Sequence, residues 1–225
     1  MNVRLLPYNK ENKKGIDIVI TNEMATVEDY LDELEKYIET CPLDRLRADV
    51  STCIGCEVCC QERMPLTNID KYNLAAVFNL DGSEADFYNK YTKTIIKGRN
   101  IDIVFANGEE GKCILLDSKN KLCTRYKKRP FVCRTYICCP VSERAERLRQ
   151  ELVNSGEDAL VAEWIEKMQK GEVFIYELGE EADIRPEDWK GNGWTGKDSF
   201  AKVYIKEVIS EKLWEEIYER GKEDV

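Results

Sequence analysis

The stretch Cys53-Ile54-Gly55-Cys56-Glu57-Val58-Cys59-Cys60 places four thiols within eight residues. It has neither the 3.6-residue period of an amphipathic helix nor the alternation of a strand, so it reads as an irregular loop whose content is sulfur. Further along stand Cys113, Cys123 and Cys133, followed by the adjacent pair Cys138-Cys139. These nine thiols fall in two bursts, and the chain of 225 residues contains no histidine. A donor set of thiolates alone suits zinc or an iron–sulfur cluster and excludes metals that require imidazole or carboxylate. The fold expected around such a loop is α+β and mostly helical, with short strands and an irregular cysteine-rich metal-binding core.

Charged residues make up 34% of the chain and hydrophobic ones 43%, with a net charge of −9 and a pI near 4.9. That charge argues against a nucleic-acid backbone as partner for the whole surface. The balance is uneven, however. Between Lys112 and Arg134 lie Lys112, Lys119, Lys121, Arg125, Lys127, Lys128, Arg129 and Arg134, against the single acid Asp117. Cations gathered there would offset the negative charge that a thiolate-bound centre retains. Met1 to Gly15 is polar and lysine-rich, unlike a secretory signal, and no run approaches the roughly 18 apolar residues of a membrane span. The expectation is a cytoplasmic protein with reduced thiols, no membrane association and no disulfide scaffold.

Outward from the loop, Ile16–Ile20 reads as a strand. Thr26-x-x-Asp29 reads as a capping box opening a helix with Val27, Leu31, Leu34 and Ile38 on one face. Beyond the loop, residues 66–70 open a helix, and a second helix carries Phe87, Tyr91 and Ile95. Ile101–Ala106 and Lys112–Leu116 look like two strands joined through Asn107-Gly108. Residues 141–153 and 157–170 read as two helices, Val173–Tyr176 as a strand and 198–220 as a closing helix. The natural division is a lead-in over 1–49, a cysteine module over 50–140 and an acidic helical lobe over 141–225.

In a Cys-x2-Cys loop two sulfurs face one ion, while backbone N–H groups point at them and lower the cost of the thiolates. Cys59 extends that geometry towards a cluster, but the immediate Cys60 departs from the ferredoxin spacing. Adjacent residues do not readily turn to one ion, so Cys60 would face a second site or another edge. Two four-sulfur sites need eight cysteines and the bursts hold nine; one site with spare buried thiols is the other arrangement. Cys41, before Pro42 and outside both bursts, is most simply a small buried hydrophobe.

Cys53-Ile-Gly-Cys56-Glu-Val-Cys59-Cys60, Leu66-Thr67-x-x-Asp70, Gly111-Lys-Cys113-x-Leu115 and Cys123-Thr-Arg-Tyr126-x-x-Arg129-Pro130-x-x-Cys133-Arg134 occur in that order. Together, over roughly residues 50–140, they resemble the CxxCxxCC zinc- or iron-chelating family. The resemblance implies metal ligation by Cys53, Cys56, Cys59, Cys60, Cys113, Cys123 and Cys133, with Cys138 and Cys139 near the place where many members add a further cysteine. Family members have been described as iron–sulfur oxidoreductases, and flagellin lysine methylases carry a related module. Pro130 stiffens the approach to Cys133. Arg129 and Arg134 are the candidates to donate hydrogen bonds to cluster sulfurs or an anionic ligand. Tyr126 reads as packing.

Gly191-Asn-Gly193-Trp-Thr-Gly196 matches a dinucleotide fingerprint by letter, but no buried strand precedes it and no βαβ unit can follow, so it reads as a turn. Without histidine, Cys–His and Ser–His couples are excluded. No catalytic residue is assigned. The expectation is an iron–sulfur protein, with one or two sites and 4Fe–4S favoured, acting in electron transfer or redox chemistry with a partner protein or small molecule still to be identified. The alternative is a structural Zn2+ interaction module without turnover. Methyl transfer rests on kinship alone, and no nucleic-acid partner is expected.

Overall fold

A computed structural model describes residues 1–41, 43–44, 46, 56–80, 84–108, 111–173, 177–178 and 181–219. Cys53 and the proposed strand over 173–176, beyond Val173 itself, lie outside them. The fold is α+β, with helices dominating and strands confined to small sheets. The chain divides into two compact units, one made of residues 1–51, 134–152 and 197–225, the other of residues 52–133 and 153–196.

The first unit opens with a hairpin that the sequence reading only half found. β1 (Val3–Lys10) pairs antiparallel with β2 (Lys13–Ile20), from Val3 opposite Ile20 to Lys10 opposite Lys13. Glu11 and Asn12 both take positive φ (52° and 63°), the two-residue turn whose twist matches a hairpin. The lysine-rich start hid β1, although Val3 and Leu5 alternate with exposed neighbours and are buried. α1 (Val27–Thr40) starts where expected: Thr26 Oγ1 accepts the Asp29 N–H at 3.2 Å, and the Asp29 carboxylate accepts the Thr26 N–H at 2.8 Å. The expected helix over 198–220 is instead broken. After a turn at Phe200–Lys202 come α6 (Ile205–Val208) and α7 (Glu211–Ile217), the latter capped by the Ser210 hydroxyl on the Leu213 N–H at 3.3 Å. A serine competes for backbone groups in a helix interior and is at home at a cap.

In the second unit, α2 (Asn68–Val77) is capped reciprocally by Thr67 and Asp70, and α3 (Glu84–Tyr91) stops one turn short of Ile95. The β-branched run Thr92-Lys-Thr-Ile-Ile leaves the helix and forms β3 (Thr92–Lys97), which turns through Gly98, at φ 57°, into β4 (Asn100–Phe105). The expected Asn107-Gly108 hairpin is therefore displaced. Lys112–Leu116 is not a strand, and Asn107 meets Cys113 only in an isolated bridge. The two-residue strands β5 (Leu116–Asp117) and β6 (Leu122–Cys123) pair beyond it. After α4 (Phe131–Thr135), the two expected helices over 141–170 are one, α5 (Glu143–Gln169). The helix runs through Gly156, where a Cβ would lie 2.6 Å from Thr67 Cγ2, so the glycine serves close approach rather than a break. Finally β7 (Glu177–Leu178) adds parallel to β3. Residues 191–196 form a turn, in which Asn192 Nδ2 donates to the Ser155 carbonyl at 2.8 Å.

The core of this unit joins Leu66, Leu74, Phe87, Tyr88, Ile103, Phe105, Leu160 and Trp164, and it includes Cys113. Cys60, Cys123 and Cys133 pack against the same core.

Candidate metal centre

Three separate segments bring the sulfurs together in the second unit. The first, carrying Cys56, Cys59 and Cys60, bends through a 3-10 turn at Val58–Gln61. The second delivers Cys113, whose backbone N–H donates to the Cys60 carbonyl at 2.9 Å. That bond fixes the two segments side by side. Cys113 then turns back, its Sγ accepting the Leu115 N–H at 3.4 Å and its carbonyl accepting the Leu116 N–H at 3.0 Å. Opposite Leu116 in the β5–β6 pair is Cys123. The third segment is α4, where Cys133 Sγ contacts Met64 Sδ at 3.3 Å.

The electrostatics record this convergence. Burial first, then Cys113, Cys123, Cys59 and Cys56 in that order, push the Cys60 thiol up to about 12. Burial raises Cys113 as well, offset by hydrogen bonds from Leu115 and Leu116 and reinforced by Cys123. Burial also holds Cys133 well above the ordinary thiol range, with Cys113, Asp70 and Cys60 adding to the shift and Arg129 opposing it. Neutral thiols crowded out of water can shed protons together only if a cation replaces them. The donor chemistry, sulfur with no histidine in the chain, fits a thiophilic ion or cluster. Among the described residues no three Cys, Asp or Glu side chains are grouped closely enough to hold an ion, and Cys53 lies outside those residues.

The position of Cys133 is set from α2. Asp70 Oδ2 accepts the Thr67 N–H and hydroxyl, each at 2.9 Å, while its Oδ1 accepts the Phe131 N–H at 2.8 Å at the start of α4. Phe131, fully buried, stands edge-on to Trp194 with ring centroids 5.8 Å apart. The Thr-x-x-Asp spacing announced a helix start, but nothing in it announced this second bond.

Residues 52–154 match a family model named CxxCxxCC and described as a "Putative zinc- or iron-chelating domain". This stretch is similar to the CxxCxxCC family and is called the CxxCxxCC domain below. No curated protein and no solved structure matches the chain. The match supports metal binding by the CxxCxxCC domain, with zinc or iron as the metal. Among the described residues no helix is long and apolar enough to cross a membrane.

The expected ligands of the CxxCxxCC domain are distributed unequally. Cys56, Cys59, Cys60, Cys113, Cys123 and Cys133 belong to the second unit, whereas Cys138, Cys139 and Arg134 belong to the first. There Cys138 and Cys139 line a cavity of about 490 Å³ with Tyr30, Tyr136 and Arg149, and the Leu46 N–H donates to the Cys138 carbonyl at 3.0 Å. Cys41, expected to be buried, is only half-buried, with Thr40 Oγ1 3.8 Å from its sulfur.

The two arginines of the CxxCxxCC domain also part company. The Arg129 guanidinium lies 3.9 Å from the centre of the Tyr126 ring, which gives that tyrosine a packing role. Its Nε is buried with no hydrogen-bond partner among the described residues, and its charge opposes the rise in the Cys133 thiol. Arg134 instead serves α1: it lies 3.0 Å from Glu35, 3.6 Å from Glu28 and 4.0 Å from Asp32. Two residues that sequence reasoning missed stand at the centre. Met64 touches Cys133, and Glu57 lies 3.8 Å from Lys112 and 3.5 Å from Lys121.

Proposed function

We propose that the CxxCxxCC domain holds an iron–sulfur cluster and acts as an electron carrier to a partner protein. The observation that carries this reading is the convergence on Cys60. Sulfurs from three segments lie within electrostatic reach of one another, and three of the cysteines, Cys56, Cys59 and Cys60, crowd within five residues of one loop, as cluster-binding loops do, rather than standing in two separated pairs. Such a group, when bound, exchanges single electrons. The chain's own residues would do the rest. Cys56, Cys59, Cys60, Cys113, Cys123 and Cys133 supply candidate thiolates, and the Cys113-to-Cys60 backbone bond holds two of the segments in register. Asp70 sets α4 and so Cys133, while the core around Leu115 and Met64 keeps water away. Arg129 carries positive charge beside Cys133, which favours its ionised form.

Protein purified without air should be brown, with broad visible absorbance and with iron and acid-labile sulfide in comparable amounts. A colourless protein carrying stoichiometric zinc overturns the iron–sulfur reading.

A second reading is a structural zinc site without turnover. It is favoured by the way Cys113 is built into the hydrophobic core, with Cys60, Cys123 and Cys133 packed against it. A site that is part of the core supplies folding energy directly. The same metal analysis separates the two.

A further inference from the structure

The β5–β6 hairpin and the turn after it carry a surface that the metal centre does not use. Lys119, Lys121, Arg125, Lys127 and Lys128 are all exposed there. Lys121 lies 3.5 Å from Glu57, but Lys119, Arg125, Lys127 and Lys128 have no carboxylate partner among the described residues. Asp117, the acid of this stretch, is committed to the turn: its carboxylate accepts Lys119 N–H at 3.0 Å and Asn120 Nδ2 at 2.7 Å. Between Lys121 and Arg125 in sequence, Leu122 is 39% exposed, one of few large hydrophobics so exposed among the described residues.

The segment is fastened rather than loose. Leu116 pairs with Cys123 and Asp117 with Leu122, and both the Thr124 N–H and its hydroxyl donate to the Leu115 carbonyl, at 2.8 and 3.0 Å. An exposed leucine flanked in sequence by exposed cations that have no carboxylate partner among the described residues offers what a protein interface uses, an apolar anchor and charged neighbours. It differs from a phosphate-binding stripe, which needs no apolar anchor. The rest of the chain is acidic, with a net charge of −9, so the cations here oppose the sign of the whole. A negatively charged partner would be drawn to this face and repelled elsewhere, which orients the encounter.

We propose that Lys119, Arg125, Lys127 and Lys128, together with Leu122, form a docking surface for an acidic protein segment bearing an apolar anchor. The surface adjoins Cys123 in sequence, so its occupant would stand beside the thiol centre, whichever metal that centre holds.

The test uses the full chain as purified with its metal. Its probes are a fluorescein-labelled glutamate peptide with a central tryptophan, the same peptide without tryptophan, and a single-stranded oligonucleotide of equal charge. The anchored peptide should bind most tightly, and binding should weaken about tenfold between low and physiological salt. The charge reversal K119E/R125E/K127E/K128E should lower its affinity at least about tenfold, and Leu122→Ser should reduce it a few-fold, to that of the unanchored peptide. Unchanged metal content and thermal midpoint establish that the variants are folded; should the reversal variant fail this, the glutamine series at the same positions replaces it. The proposal is overturned if the oligonucleotide binds more tightly than the anchored peptide, if the two peptides bind wild type equally, or if charge removal leaves binding unchanged.

Discussion

Asp70 accepts the backbone N–H of Phe131 at 2.8 Å, across 61 residues of chain, with the carboxylate that also closes the cap of α2. One side chain thus sets a helix start and the approach to Cys133. Asp70→Ala should remove the carboxylate half of the capping box and the bond to the Phe131 N–H, at a cost of about 1–3 kcal/mol in all. Urea unfolding of Asp70→Ala beside Asp70→Asn, which keeps an acceptor, measures this. Equal stability of the alanine variant and wild type would contradict it.

A centre built within the second unit makes a specific demand on the cysteines. Cys60→Ser and Cys113→Ser should each lower bound metal to less than about half of wild type, since thiolates are the donors. Cys41→Ser, Cys138→Ser and Cys139→Ser should retain it. Metal per protein, measured on freshly purified material, decides the matter, and loss of metal from Cys138→Ser would assign that residue to the ligand set.

Glu157 gives stability an unusual pH dependence. Burial, and then the nearby Asp102 carboxylate, push its carboxyl up to about 7, with Arg63 and the Ile103 N–H opposing, and Oε1 is buried without a hydrogen bond among the described residues. The folded protein therefore keeps a proton that the unfolded chain releases near the ordinary glutamate value. Stability from this group is fully present below about 4.5 and is lost as pH rises through about 7, a change on the order of 3 kcal/mol. Glu157→Gln should flatten that slope. Unfolding free energies at pH 5, 6 and 8, taken as the difference between variant and wild type, remove any contribution from metal loss.

Two glycines are required by close approach rather than by turns. A Cβ on Gly15 would lie 1.8 Å from the Pro140 carbonyl oxygen, and one on Gly156 would lie 2.6 Å from Thr67 Cγ2. A backbone carbonyl that accepts the Ile16 N–H at 2.9 Å cannot yield, whereas a threonine side chain can rotate. Gly156→Ala should cost about 1–3 kcal/mol, and Gly15→Ala more. Thermal midpoints of the two variants, compared with wild type, should fall in that order.

Local chemistry is what the sequence made legible. Thr26 and Asp29, like Thr67 and Asp70, form caps because their bonds span only three residues. The sulfur-only donor set followed from composition, and it led to the family that residues 52–154 match. The turn at Gly191–Gly196 was recognisable because a dinucleotide fold needs a strand before it. What depended on a pairing or packing partner outside the segment itself was not legible. β1 needed β2 to declare itself, Ile95 went to a strand paired with Asp102, and Gly156 lies within a helix with Thr67 close against it. The same holds for the centre. Nine candidate ligands among ten cysteines could be counted from the letters, but only tertiary structure separated Cys138 and Cys139 into one unit and gathered six of the others in the second, and it turned Arg134 to the carboxylates of α1. Spacing fixes which residues can meet through one or two turns of backbone; which of many similar thiols and cations meet across the fold is settled by packing.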